Sequence, residues 1–326
     1  MAAMSSPATV YPAPHGSTAR RLEWAFLPPN LRAWFERKCG SPVVEAISQN
    51  SGFTPGFASV LVCEDGSRHF AKAASVKAQR LFADSYREEA RKLAALPASV
   101  PAPRLLHLLD DDWVALVIEH VEARLPKRPW DLADLGATLD TLEVVADELT
   151  PPPAHLELDS AVDDFAAMLD GWSKVREELD LSHADEAEAL ARRYAEVVDG
   201  DTVVHTDVRS DNVLIRPDGR ALLCDWNWPV RGCDWFDSFA ALIGPRGEGA
   251  DVDAVMASRR LLKDVPPDDV DTVLALFVGY FLGQSVLPVP PTSPHIRDHQ
   301  RWQGEVCWAW LAERRGWPRS DVAGCS

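Results

Sequence analysis

The chain has 326 residues, 46% hydrophobic and 25% charged, the balance of a globular protein large enough for two lobes or two domains. Its 50 acidic and 33 basic side chains leave a net charge of −17, which argues against a nucleic-acid partner, because phosphate binding needs a basic face. A cationic partner suits that charge better.

Residues 1–20 are rich in Pro, Ser and Ala and hold no continuous apolar run, so a flexible lead-in without a signal peptide is expected. From Leu22 to Cys39, Trp24, Leu27, Leu31, Trp34 and Phe35 recur at helical spacing. Three short runs follow, Val43–Ile47, Ala58–Cys63 and His69–Ala73, separated by Gly52, Gly56 and Glu64-Asp65-Gly66-Ser67, which predicts antiparallel strands. Residues 82–96 return to helical period, and Leu105–Leu108 and Val114–Val121 add two strands. Segments 129–149, 159–179 and 183–198 then predict helices, broken by Thr150–Pro153 and by residues 179–182. Strand-like runs recur only at Thr202–Val204, Val213–Ile215 and Ala221–Cys224, before helices near 251–263, 268–287 and 297–315. Val273–Gly283, the longest apolar run, is too short to span a bilayer and suits a buried helix. The six cysteines (Cys39, Cys63, Cys224, Cys233, Cys307 and Cys325) form no CxxC and no metal-ligand spacing, as reduced thiols of a cytoplasmic protein would. The resulting fold class is α+β, sheet-rich before and helical after a junction near residues 119–125.

Residues 203–228 carry the chemistry. His205, Asp207, Asp211, Asn212 and Asp225 stand among apolar runs, so charge and burial are forced together. Pro217-Asp218-Gly219 predicts a tight hairpin that returns Asp225 to the end where Asn212 starts. An Asn amide oxygen and a carboxylate are hard ligands of the kind Mg²⁺ takes. Asp207, five residues before Asn212, is spaced to accept a proton from a hydroxyl. Two other readings stand on these residues alone. One is a loop whose Asp and Asn serve local hydrogen bonds; the other is a metal hydrolase with His205, Asp207 and Asp225 as ligands.

The N-terminal part favours phosphoryl transfer. Ser51–Ser59 (SGFTPGFAS) lies between two predicted strands, where Gly52, Thr54 and Gly56 let backbone N–H groups approach phosphates; the Walker pattern is absent. Lys72 falls in the third strand, and Glu88 or Glu89 on the next helix offers a carboxylate to fix its ammonium. A Gly loop, a strand Lys, a helix Glu, a His-x-Asp loop, an Asn and a hairpin-end Asp follow one another in the order of a kinase-like phosphotransferase.

The chain resembles the aminoglycoside phosphotransferase family, whose members share the protein-kinase-like two-lobed fold and include choline-kinase-like and antibiotic-kinase relatives. The family's H-G-D-x-x-x-x-N is matched by His205-Thr206-Asp207-Val208-Arg209-Ser210-Asp211-Asn212, and its metal Asp by Asp225-Trp226. Residues 231–240 match a later element loosely, with Asp237 in the Asp position, and Glu89-Ala90-Arg91-Lys92-Leu93 fits the helix that supplies the Lys partner. The resemblance implies a catalytic Asp207, Mg²⁺ on Asn212 and Asp225, and Lys72 braced by Glu89 on the phosphates of ATP, with GTP as an alternative donor. It also implies a hinge at Glu119-His120-Val121 that bonds adenine, and a structural Asp237. Thr206 departs from the usual Gly. Arg209 stands where relatives often carry His, Cys or Lys; it either reaches the γ-phosphate or forms a salt bridge. Trp226 and Trp228 read as core aromatics. Residues 21–121 then form the nucleotide lobe and 122–326 the helical lobe with catalytic loop and acceptor site.

The acceptor expected is a small hydroxylated molecule, a cation among the options. Segment 155–201 is strongly acidic, although solvated helix faces account for that as well. An antibiotic or related natural product leads; a metabolite such as choline, homoserine or a sugar is the alternative, and a catalytically silent nucleotide binder the third. A silent binder has no need of Lys72, Asp207, Asn212 and Asp225 together. No nucleic-acid or membrane partner is expected, and the chain is read as a monomer or homodimer.

Overall fold

The computed structural model describes residues 21–49 and 55–318 and the short strand Ala323–Gly324; Gly52, Thr54 and the lead-in 1–20 lie outside the described residues. Helix α1 (Pro29–Cys39) precedes a sheet of β1 (Val43–Ser48), β2 (Phe57–Cys63), β3 (Arg68–Ser75), β4 (Leu105–Asp110) and β5 (Trp113–Glu119), with α2 (Arg80–Ala95) between β3 and β4. All pairings are antiparallel, in the order β1-β2-β3-β5-β4.

Strand alternation sorts this sheet into two faces. Phe57 and Leu61 of β2, Ala71 and Ala73 of β3, and Ala115 and Val117 of β5 pack beneath Leu27, Leu31, Trp34 and Phe35. Burying each large side chain of that set contributes about 1.5–3 kcal/mol before entropy is charged against it. The alternate residues Ala58, Val60, Phe70, Lys72 and Ile118 face a cleft. On α2, Ala83, Tyr86, Ala90 and Leu93 are buried at helical spacing, and Glu89 is buried with them.

The single helix expected over 22–39 is split. Proline lacks the N–H a helix interior needs and fits the first turn, so α1 starts only at Pro29 and Trp24–Phe26 form a separate 3₁₀ turn. Gly40, at φ +83°, ends α1.

The rest is mainly helical. It comprises α3 (Leu132–Glu148), α4 (Ala161–Asp164), α5 (Gly171–Glu178), α6 (Ala184–Ala191), α7 (Tyr194–Val198), α8 (Phe236–Ala240), α9 (Ile243–Gly247), α10 (Val252–Ser258), α11 (Pro267–Ser285) and α12 (Ile296–Arg315). Three two-stranded ladders join them: β6 (Leu179–Asp180) with β11 (Ala323–Gly324), β7 (Thr202–Val204) with β10 (Val230–Gly232), and β8 (Val213–Ile215) with β9 (Ala221–Leu223). The helix expected over 159–179 is instead α4, a 3₁₀ stretch Phe165–Asp170, and α5. The helix expected over 251–263 ends at Ser258. Helix α11 is buried on nearly every side, as its unbroken apolar run predicts. The α+β division expected from the sequence is observed. Among the described residues, no helix is long and apolar enough to cross a membrane.

Candidate active site

The β8–β9 hairpin turns at Gly219, whose φ of +82° suits glycine. Beyond its last rung the Cys224 N–H donates to the Asn212 carbonyl at 3.0 Å, so Asn212 and Asp225 share one end. Lys72 reaches that end from β3. Its Nζ lies 2.7 and 2.9 Å from the two Glu89 oxygens and 2.6 Å from Asp225 Oδ1. Glu88, the other candidate, is exposed and pairs with Arg91.

Burial alone would discharge Lys72, but Asp225 and Glu89 reverse that and hold its ammonium above the ordinary lysine range. Burial likewise pushes Asp225 up, and Lys72 with Arg209 more than offsets it, so the carboxylate stays ionised below its usual range. Glu89, the most enclosed of the three, is raised to about 7 by burial despite Lys72.

Strand β7 delivers His205 into the interior. Asp237 on α8 accepts the backbone N–H groups of His205 and Thr206, the latter at 2.9 Å, and so braces the loop. His205 Nε2 meets the Cys224 carbonyl at 3.0 Å, and its Nδ1 accepts the Asp207 N–H at 3.3 Å. With both ring nitrogens engaged in hydrogen bonds to the backbone, His205 is a brace and not a metal ligand, and the hydrolase reading falls. Thr206 sits at φ +66°, an outlier for a β-branched residue, and its hydroxyl donates to the Trp228 carbonyl at 2.9 Å. Trp226 is a core aromatic as expected, bonded to the Leu223 carbonyl at 3.0 Å. Trp228 is not: its side chain is exposed, and only its backbone carbonyl serves the loop.

Asn212 Nδ2 donates to both the carbonyl and Oδ2 of Asp207 at 2.9 Å, which leaves its side-chain oxygen without a partner among the described residues. Arg209 grips Asp207 with Nη1 and Asp211 with Nε and Nη2, at 3.0 and 3.1 Å for the latter pair. Burial pushes the Asp207 carboxyl above the ordinary range, against the pull of Arg209 and Asn212. Burial acts on Asp211 too, but Arg209 prevails and keeps it low.

Glu119, His120 and Val121 line the same cleft as Lys72, Asn212 and Asp225. The Glu119 N–H is taken by the Arg104 carbonyl at 2.8 Å. Gly56 is buried; a Cβ there would stand 3.0 Å from the Tyr86 hydroxyl and 3.2 Å from the Ala73 carbonyl, so a side chain would need its neighbours to give by a few tenths of an ångström. Sequence reasoning missed Asn227, whose amide donates to Asp225 Oδ1 at 2.6 Å while its carbonyl accepts Lys92 Nζ at 2.8 Å. It missed Asp211 as the second partner of Arg209, although carboxylates two residues either side of an arginine are a local signal.

Residues 64–256, more than half of the chain, match the sequence profile of the phosphotransferase enzyme family. The chain belongs to that family. Comparison with curated proteins gave no match. Solved structures of family type share its fold. An aminoglycoside phosphotransferase from Alicyclobacillus acidocaldarius aligns with TM-score 0.54 at 15% identity, over 90% of this chain and 97% of that one. Choline kinase LicA from Streptococcus pneumoniae aligns with TM-score 0.58 at 13% identity, over 88% and 99%. A choline/ethanolamine kinase family protein from Mesorhizobium loti gives 0.51 at 14% identity, over 78% and 85%. At such identities the likeness is one of fold, and this phosphotransferase has the two-part architecture of those small-molecule kinases.

Proposed function

We propose that this phosphotransferase moves the γ-phosphoryl group of ATP, with GTP as an alternative donor, to a hydroxyl of a small amine-bearing molecule in the cytoplasm. The observation that carries the reading is the meeting of Lys72, Asn212 and Asp225 on one cleft, with Lys72 bonded to both Glu89 and Asp225 and Asp207 held beside them by the Asn212 amide. A fold neighbour, the choline kinase of Streptococcus pneumoniae, has also been solved in complex with AMP (TM-score 0.54), which supports a nucleotide donor.

The donor set fits a divalent cation. The unpartnered oxygen of Asn212 and the ionised Asp225 carboxylate are hard oxygens at one end of a hairpin. Mg²⁺ held there would offset charge on the nucleotide phosphates. Residues 21–121 are assigned the nucleotide, with Gly52, Thr54 and Gly56 assigned to phosphate binding and Glu119 and Val121 to the adenine. Residues 122–326 carry the catalytic loop and acceptor site. Lys72, braced by Glu89, exchanges part of its contact with Asp225 for phosphate oxygens. Asp207 aligns the acceptor hydroxyl and takes its proton late, as the acceptor O–P bond forms and the bond to the nucleoside diphosphate breaks. Arg209 and Asn212 hold the Asp207 carboxylate in place, and we assign to the Arg209 guanidinium the stabilisation of charge that develops on the transferred group.

Acidity near the loop favours a cationic acceptor. The Asp164 carboxyl is raised by partial burial and by Asp159, and Tyr280, held up by burial, feels Asp207 and Asp164 against Arg209 and Arg297. Aminoglycosides and choline are both hydroxylated cations; an antibiotic or related natural product is the first reading and a choline-type metabolite the second. The test is substrate-dependent ADP release with ATP and Mg²⁺ across hydroxylated amines and neutral alcohols. Turnover is expected with amines. Asp225→Ala should abolish it, and because Lys72 and Asn227 both lose a partner the melting midpoint should fall as well, so activity is measured below that midpoint on folded protein. Preference for neutral alcohols overturns the acceptor class, and turnover by Asp225→Ala overturns the site.

A further inference from the structure

The sheet face turned away from the cleft carries a second cluster of chemical groups. Cys39 closes α1, Cys63 ends β2 and His69 stands near the start of β3. Leu61 pairs with His69, so Cys63, two residues beyond Leu61, shares the face of His69. The turn at Gly40 leads α1 into β1, whose Val43 pairs with Cys63, and this draws Cys39 to the same corner. Two sulfurs and one ring nitrogen from these residues lie within 4.8 Å of one another. Three separate elements supply them, so local turn chemistry does not account for the grouping.

The histidine adds an independent observation. Both ring nitrogens of His69 are shut off from solvent, and neither has a hydrogen-bond partner among the described residues. A neutral imidazole so placed leaves one donor and one acceptor unmet, which native interiors avoid. A lone pair facing two sulfurs calls for a borderline-soft cation rather than for Mg²⁺ or Ca²⁺. We propose that Cys39, Cys63 and His69 form a zinc site that pins α1 to the β2–β3 hairpin, on the face opposite Lys72. Zinc ligands in a tetrahedral site, at about 2.3 Å for sulfur and 2.0–2.1 Å for nitrogen, stand roughly 3.3–3.8 Å apart, so metal binding would draw the three atoms together by up to about 1–1.5 Å. Asp65, exposed in the turn after Cys63, acts electrostatically on both Cys39 and His69, and a water completes four ligands.

Proton balance follows. Burial and the neighbouring Cys63 push the Cys39 thiol up to about 12, so metal binding must release the thiol protons to solvent. Burial holds His69 below the ordinary imidazole range, which is the neutral ligand form. Because His69 pairs with Glu119 and lies three residues before Lys72, the metal would stiffen the strand that carries the lysine without touching the cleft.

The test uses the full chain, reduced, stripped with a chelator and titrated with Co²⁺ as a coloured stand-in. One equivalent should give the intense visible bands and thiolate charge-transfer absorption of a tetrahedral thiolate site, and Zn²⁺ should bleach them. Zn²⁺ should also raise the melting midpoint of the parent chain. Cys39→Ser, a partly exposed position that leaves the core intact, and Cys63→Ser should each lose the bands and the zinc-dependent shift; Cys307→Ala should keep both. Absence of the bands in the parent chain, their survival in Cys39→Ser, or recovery of a Cys39–Cys63 disulfide in place of bound metal overturns the proposal.

Discussion

Asp207 must be ionised to accept a proton, yet burial raises its carboxyl above the ordinary value of 3.8. A raised folded value means the proton is retained to higher pH, so kcat/KM should fall on acidification earlier than an unperturbed aspartate would dictate. Arg209 is the largest influence opposing that rise. Arg209→Gln should therefore move the acid limb to still higher pH, and Arg209→Lys should move it part of the way back. A pH–rate profile of the three proteins decides it; a limb unmoved in Arg209→Gln removes Asp207 as the titrating base. Asp207→Asn should lose about 10²–10⁴-fold in kcat with little change in ATP affinity measured by calorimetry. At this scale the sequence is informative where the chemistry is local. The spacing from His205 to Asn212 survives into one loop because hydrogen bonds between near neighbours define it. The Asn227 contact with Asp225 is local and was open to sequence reading, whereas its link to Lys92, 135 positions away, was not. Nor was the Cys39, Cys63 and His69 cluster, whose members become neighbours only when α1 folds back on the hairpin.

Strand β3, helix α2 and the β8–β9 hairpin meet through Lys72, and that junction makes a prediction about elements rather than chemistry alone. Lys72→Met removes the cation between two carboxylates, leaving Glu89 enclosed and unpaired. Breaking such a buried pair costs about 3–5 kcal/mol where the remaining charge has no outlet. Glu89 has one, because its carboxyl is already raised to about 7 and loses in this variant the partner that lowers it. A folded value raised above the unfolded one gives stability that is fully present at low pH and lost as pH rises through the folded value. The deficit of Lys72→Met in urea melts should thus be largest at alkaline pH and shrink on acidification, and Lys72→Met/Glu89→Gln should recover most of it. A deficit independent of pH would mean that Glu89 is not the stranded group. The sheet was legible because period-two runs and glycine turns are local signals, whereas apolar spacing in 22–39 ran across Pro28-Pro29 without registering the break. Segment 159–179 was over-read for a tertiary reason: at Gly171 the chain lies against another helix backbone, and α5 starts there.

That crossing organises the larger part of the molecule. Helices α5 and α11 approach through Gly171, Gly279 and Gly283, where a Cβ on Gly171 would stand 2.1 Å from the Gly279 carbonyl oxygen and one on Gly279 would stand 2.4 Å from the Trp172 ring. Trp172 is itself fully buried, so the ring has little room to yield. The apolar run of α11 announces burial from the sequence, but which helix crosses it, and that glycine permits the approach, follows only from the packing. Gly279→Ala should cost about 1–3 kcal/mol or more by forcing the helices apart, despite the better helix propensity of alanine. Gly171→Ala should cost more still, since backbone cannot rotate aside as a side chain can. The comparison is Gly66→Ala, where the added methyl meets open space and only the φ of +85° resists it, at about 1–3 kcal/mol. Urea denaturation of the three variants ranks them, with KM for ATP measured on the folded fraction as the control, because none of these glycines borders the cleft. If Gly171→Ala is no worse than Gly66→Ala, the two helices have slack between them, and the large lobe is not held by that close crossing.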